Sequence, residues 1–329
     1  MNTGIIIPIA YPDAFVRYSE VGFQKHILSS IGVGRNGFVK AGHALLLLIN
    51  KKTGYVQYFD FGRYVTPPGY GRVRSAITDV ELEIPIKAKF DTSFRLINLK
   101  EILIWLEAYP EKTHGEGKMV ASISDNIDYD KAHNYLLSLQ NQGSIPYKTF
   151  GNIGSNCSRL VTDTLLQGTT SKTVYNPLKR NNKFTPSPLG NVKYGATTKI
   201  MFEVFKGEFK EYRKSILREN LINFFTPNSL TSEVVQLPNK INEAQLLEGV
   251  GASAYFEVEY SNNNEYKIKR YNSKFEKDFE GFFIVDKSGF DIYKDYQFVY
   301  DCNCNYCHIK QEQIIYRFDL ILTNKKAGV

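Results

Sequence analysis

Seven residues, Ala44-Leu-Leu-Leu-Leu-Ile-Asn50, run with no polar position until the last. A stretch that short and that apolar reads as a strand buried on both faces, at the centre of a covered sheet. The turn Lys51-Lys-Thr-Gly54 follows, and then the aromatic run Tyr55–Phe61. Together they predict a β-hairpin. If the two runs pair across the turn, residues whose numbers sum to about 105 lie opposite each other. His43 then faces Gly62. Asp60 lies diagonally on the same face as His43, because side chains alternate along a strand. Tyr58 shares that face, but deeper.

A second feature carries chemistry. Gly151-Asn-Ile-Gly-Ser-Asn-Cys157-Ser-Arg-Leu-Val-Thr-Asp-Thr-Leu-Leu166 reads as a glycine-rich turn that breaks into a helix. Leu160, Val161, Leu165 and Leu166 recur at helical spacing, and Ser155 or Asn156 can cap. Cys157 then stands in the first turn, among unpaired backbone N–H groups at the positive end of the helix dipole. That setting favours thiolate over thiol.

A cysteine hydrolase also needs an imidazole to share the proton and a polar group to orient the ring. His43, in Gly42-His43-Ala44, sits at the mouth of the buried strand, where a rigid support can aim it at a helix terminus. Asp60 can hold its other ring nitrogen. The remaining histidines fit less well. His26 falls in an expected helix over Phe15–Ile31 and His114 in a glycine-rich loop. His133 lies on an amphipathic helix, and His308 beside a cysteine cluster. Tyr147, Asn156 and Ser158 are candidates to support an oxyanion. Arg63, Arg72 and Arg74 lie in a Pro/Gly/Arg loop just after the hairpin, where they could engage an acidic group of a substrate.

These residues resemble a known group. The order Gly-His-Ala plus aliphatic strand, hairpin, helix ending at Gly143, Tyr147, then Asn156-Cys157-Ser158-Arg159-Leu160-Val161 is similar to the circularly permuted papain-like hydrolases. These are the YiiX-like and lecithin:retinol acyltransferase-like members of the NlpC-type superfamily. The match covers about residues 40–168. The resemblance implies an α+β fold, with a permuted papain-like antiparallel sheet packed on helices. It implies a cysteine peptidase or amidase, with Cys157 as nucleophile, His43 as general base and Asp60 as the third group. The substrate would be a peptide or a small molecule with an amide, ester or thioester bond, and no cofactor is needed. The alternative is a catalytically inactive scaffold of the same fold that serves as a binding protein.

The rest of the chain bounds this reading. Residues 1–200 carry 24 Lys and Arg against 15 Asp and Glu, a balance of +9. Residues 201–329 carry 17 against 19, a balance of −2. The asymmetry predicts two units. The expected division is a catalytic domain over 1–180, a connecting segment over 181–231, and a small antiparallel β domain over 232–329. The basic residues are scattered, so no nucleic-acid partner is expected. No apolar run approaches the roughly 18 residues of a membrane span. The N-terminus lacks the basic start of a signal peptide. Val80–Phe90 alternates like a further strand, and Gly32–Gly37 matches GxGxxG in spelling only, which predicts a plain loop.

Four cysteines, one alone and three clustered, do not form a disulfide framework, so a reducing compartment, the cytoplasm, is expected. Cys302, Cys304, Cys307 and His308 have the donor types of a zinc site. No second separated pair completes it, so reduced cysteines on a hairpin are expected and no metal is assigned.

Overall fold

The computed structural model describes residues 2–17, 38–148, 153–182, 186–226, 237–262 and 264–321. It is a mixed α+β structure with seven α-helices among those residues and two large antiparallel sheets. Val16–Arg17, where a helix was expected to begin, pairs instead as a short strand with Phe38–Val39. The rest of that expected helix, His26 included, and the Gly32–Gly37 loop lie outside the described residues.

The chain divides into two units. The first comprises residues 1–61, 83–142 and 147–232. Its sheet runs in the order Glu208–Glu211, Met201–Phe205, Met119–Ser122, Gly4–Tyr11, His43–Asn50, Val56–Gly62, with Ser124–Ile127 also pairing with Gly4–Tyr11. The two central strands, Gly4–Tyr11 and His43–Asn50, are buried along almost every residue. That is the burial the aliphatic run demands. Pro8 lies inside a central strand, where a missing N–H usually breaks the ladder. Here it falls opposite the gap between Met119–Ser122 and Ser124–Ile127, which pair with Ile9–Ala10 and with Gly4 and Ile6 respectively. The absent donor therefore coincides with a change of partner.

Two expectations are revised among the described residues. Val80–Phe90 is not a strand: Val80–Leu82 is a 3-10 turn and the remainder is extended without a ladder. Its alternation is real, since Leu82, Ile84 and Ala88 are buried, but from Glu83 on the backbone ties are isolated: Ala88 to Gly54, Lys89 to Ile97 and the single bridge Phe90–Leu96. Where a connecting segment was expected over 181–231, the described residues hold regular elements. Helix Pro188–Gly195 packs on the first strand, and Met201–Phe205 pairs with Met119–Ser122. Ser187 caps that helix, accepting from the Gly190 N–H, and Pro188 stands in its first turn.

The second unit comprises residues 62–82, 143–146 and 233–329. Its eight strands run in the order Lys240–Ile241, Ala244–Leu247, Ala254–Asn262, Glu265–Tyr271, Lys277–Val285, Ile314–Leu320, Tyr306–Gln311, Gln297–Val299. The sheet curls into a half-barrel around Phe256, Ile268, Phe283, Phe298, Ile309 and Phe318. The Gln245 side chain reaches from its second strand to its last. Its oxygen accepts from the Phe298 N–H at 2.9 Å and its amide donates to the Tyr296 carbonyl at 3.1 Å.

Candidate active site

The hairpin forms in the expected register. Leu45 pairs with Asp60, Leu46 with Phe59 and Leu47 with Tyr58, each pair summing to 105. Gly42 starts the strand with φ +76°, a left-handed conformation that favours glycine. A Cβ there would lie 3.1 Å from the Tyr11 carbonyl oxygen and 3.3 Å from Pro188. Glycine thus lets the chain enter the strand tightly, and His43 follows at a fixed place, opposite Tyr11.

Helix Cys157–Gly168 begins where the sequence places it. Asn156, extended at φ −151° and ψ 172°, is its N-cap, and its side-chain oxygen accepts from the Arg159 N–H at 2.9 Å. The other end of the same amide donates to the Lys148 carbonyl at 2.8 Å. One side chain thus caps the helix and ties it to the preceding segment. Leu160, Val161 and Leu165 are fully buried and anchor the helix against the His43–Asn50 strand.

The two elements bring Cys157 and His43 together. The thiol is hydrogen-bonded to the imidazole, and the backbone N–H groups of Ala44 and Ser158 also point at the sulfur. Burial pushes the Cys157 thiol up. The His43 hydrogen bond and charge, with the two N–H groups, more than offset this, and the thiol lies below the ordinary cysteine range. His43 is 8% exposed and Cys157 7%. Asp60 is fully buried, and its Oδ2 lies 3.9 Å from His43 Nε2. That is an ion-pair distance, longer than a direct hydrogen bond. The Tyr58 hydroxyl donates to the same Oδ2 at 2.8 Å.

The supporting residues divide. Ser158 contributes its N–H to the sulfur, while its carbonyl is held by Asn191 at 2.7 Å and Thr162 at 3.0 Å. The Asn156 side chain is committed to the cap. The Tyr147 ring stacks on Phe61, with centroids 5.9 Å apart, and its backbone bridges to Ser155. Sequence reasoning missed the Ala44 N–H, which follows directly from placing His43 at a strand start. It also left Tyr58 without a role, although alternation put it on the correct face.

The arginine expectation is corrected. The segment after the hairpin contains a strand, Tyr70–Arg74, rather than a continuous loop. Arg72 is 3% exposed and makes a two-pronged ion pair with Asp79, both contacts at 2.7 Å, while its Nε donates to the Tyr64 carbonyl. Arg74 is buried and lies over the Tyr64 ring, 3.7 Å from its centroid. Neither faces solvent, because both complete the interior of the second unit. Arg63 is half-buried, and its carbonyl accepts from the Gly251 N–H.

Two of the clustered cysteines, Cys302 and Cys307, are neighbours. Cys302 and Cys307 pack in the half-barrel core, and Cys302 donates to the Val299 carbonyl. Cys304 lies in the electrostatic field of Arg270, Asp79 and Glu81. The His308 Nδ1 is bonded to the Asp301 carbonyl at 2.8 Å. Among the described residues no group of three or more His, Cys, Asp or Glu side chains could hold a metal ion. Strand Gln297–Val299 stops short of Cys302, so Cys302 and Cys304 share no strand face. No described helix is long and apolar enough to cross a membrane.

A family model described as type VI secretion system effector TseH-like matches residues 6–174, more than half of the chain. The match spans the first strand, the hairpin and the Cys157 helix. The chain belongs to the TseH-like family of type VI secretion system effectors. A second model, the DUF6695 C-terminal domain, matches residues 244–321 of this TseH-like protein, within the half-barrel unit. The crystal structure of the type VI secretion system effector TseH aligns over 64% of this chain and 99% of its own, at 17% identity and a TM-score of 0.43. No curated protein matches.

Proposed function

We propose that this TseH-like protein is a cysteine hydrolase, a peptidase or amidase, that cleaves or transfers an amide or (thio)ester acyl group. One observation carries the reading. A buried thiol at a helix N-terminus shares a hydrogen bond with an imidazole and is held below the ordinary cysteine range. The Cys157 thiolate attacks the carbonyl carbon, and the imidazolium of His43 gives its proton to the leaving nitrogen, oxygen or sulfur. The acyl group is then bonded to sulfur. His43 next takes a proton from water, whose oxygen attacks the acyl carbon, and the thiol is regenerated. Asp60 stabilises the imidazolium. Backbone N–H groups at the start of the Cys157 helix hold the developing oxyanion, each worth about 3 kcal/mol in well-studied enzymes. As a member of an effector family, the protein would perform this hydrolysis after delivery by a type VI secretion system.

Iodoacetamide alkylation near pH 6, read by peptide mass spectrometry, tests the proposal. Selective labelling at Cys157 over the other three cysteines is the expected result, together with amide or ester hydrolysis that disappears in Cys157→Ala. Cys157 that alkylates no faster than an ordinary thiol overturns the enzyme reading and supports the inactive scaffold.

A further inference from the structure

We infer that Tyr58 is a positioning residue of the Cys157–His43 site, acting through Asp60: its hydroxyl fixes the carboxylate oxygen that faces the imidazole. The inference rests on the cysteine-hydrolase reading and deepens it. Tyr58 and Asp60 are two residues apart on one strand, so their side chains share a face. The Tyr58 hydroxyl donates to Asp60 Oδ2 at 2.8 Å, and it is this same oxygen that lies 3.9 Å from His43 Nε2. Tyr58 is 1% exposed and Asp60 0%. A carboxylate so far from water needs donors to remain ionised, and a fixed rotamer to act on a ring beyond hydrogen-bond reach. Tyr58 supplies one donor and fixes that rotamer. Without it, the ionised carboxylate loses one donor and its rotamer loses one tether. Both changes weaken the negative charge that faces the imidazolium, and with it the stability of the thiolate–imidazolium pair.

The groups around the imidazole define what else titrates there. Cys157 comes from the helix, Asp60 and Tyr58 from the neighbouring strand, and Tyr11 from the strand on the other side, opposite His43. Burial pushes the Tyr11 phenol up, so it stays neutral over the working range. Asp13 and Lys40, near the entry to the strand, pair with each other at 2.7 Å. His133 and Tyr129, from a helix packed on the same strand, are engaged with Gln57.

The test is the pH profile of Cys157 alkylation by iodoacetamide in the full-length wild type, Tyr58→Phe, Asp60→Asn and the double variant. Tyr58→Phe keeps the ring and its packing. Its profile should move upward by about one pH unit, with the rate at pH 6 reduced about tenfold. In the Asp60→Asn background the same substitution should change the rate less than twofold, because the hydroxyl then has no carboxylate to hold. A Tyr58→Phe profile that overlays the wild type overturns the inference. So does an undiminished Tyr58→Phe effect in the Asp60→Asn background. If wild-type Cys157 itself alkylates as an ordinary thiol, the hydrolase reading fails and this inference with it, a result distinct from a reactive wild type with an indifferent Tyr58.

Discussion

Cys157 in the first unit and Cys304 and Cys307 in the second are all buried, yet their thiols shift in opposite directions. For all three, burial is the largest effect and favours the neutral thiol. Around Cys157 the imidazole and two backbone N–H groups reverse it. Around Cys304 the pull of Arg270 is opposed by Asp79 and Glu81, and the thiol stays far above the ordinary range. Cys307 is pushed the same way by burial and by its neighbour Cys302. Exclusion from water therefore does not by itself make a cysteine inert or reactive. The arrangement of donors and charges around the sulfur decides it.

The largest effect expected on this contrast comes from Asp79, which helps hold Cys304 neutral. Burial raises the Asp79 carboxyl, but Arg72, then Arg270 and Arg74, hold it well below the usual carboxylate range. Asp79→Asn leaves Arg72 and Arg270 short of a buried partner and should destabilise the second unit by about 3–5 kcal/mol in denaturant unfolding. The folded-state pKa is depressed, so the stabilisation is present above the unfolded value and is lost as pH falls below about 4. Stability measured between about pH 5 and pH 2 should thus fall less steeply in the variant than in the wild type.

Removing the imidazole should erase the contrast from the other side. His43→Ala is expected to reduce Cys157 alkylation at pH 6 about 100-fold, bringing it to the level of an unassisted cysteine. A rate within threefold of the wild type would mean that the helix terminus alone activates the sulfur. Asn156→Ala removes the cap and should cost about 1 kcal/mol of thermal stability in the first unit. The smallest effect is expected from Cys304→Ala. Its Cys157 alkylation rate should remain within about twofold of the wild type, as befits a thiol with no part in the chemistry.

Much of the site is legible in the residues because it is built on local rules. The aliphatic run forces a central strand, the turn sets the register, and alternation puts Asp60 and Tyr58 on the face of His43. Helix periodicity and Asn156 place Cys157 at a helix start. Elements that depend on distant partners are harder to read. Val80–Phe90 has the alternation of a strand but no ladder, because burial against a core and pairing are separate facts. The Met201–Phe205 strand is readable from its own residues as a strand-like piece, but its pairing with Met119–Ser122 is not. Arg72 and Arg74 look like solvent-facing charge until Asp79 and Tyr64 are found against them. Charge composition cannot show that a cation is neutralised several residues away.

The Gln245 amide joins strands more than 50 positions apart along the chain. Edge strands usually fray first, since only one side of them is held. Fastened across its curl in this way, the half-barrel leaves the two-residue strand Lys240–Ile241 outside the clasp. The strands within the clasp should open as a single cooperative block, with the Phe298 amide exchanging its hydrogen as slowly as those of the innermost strands.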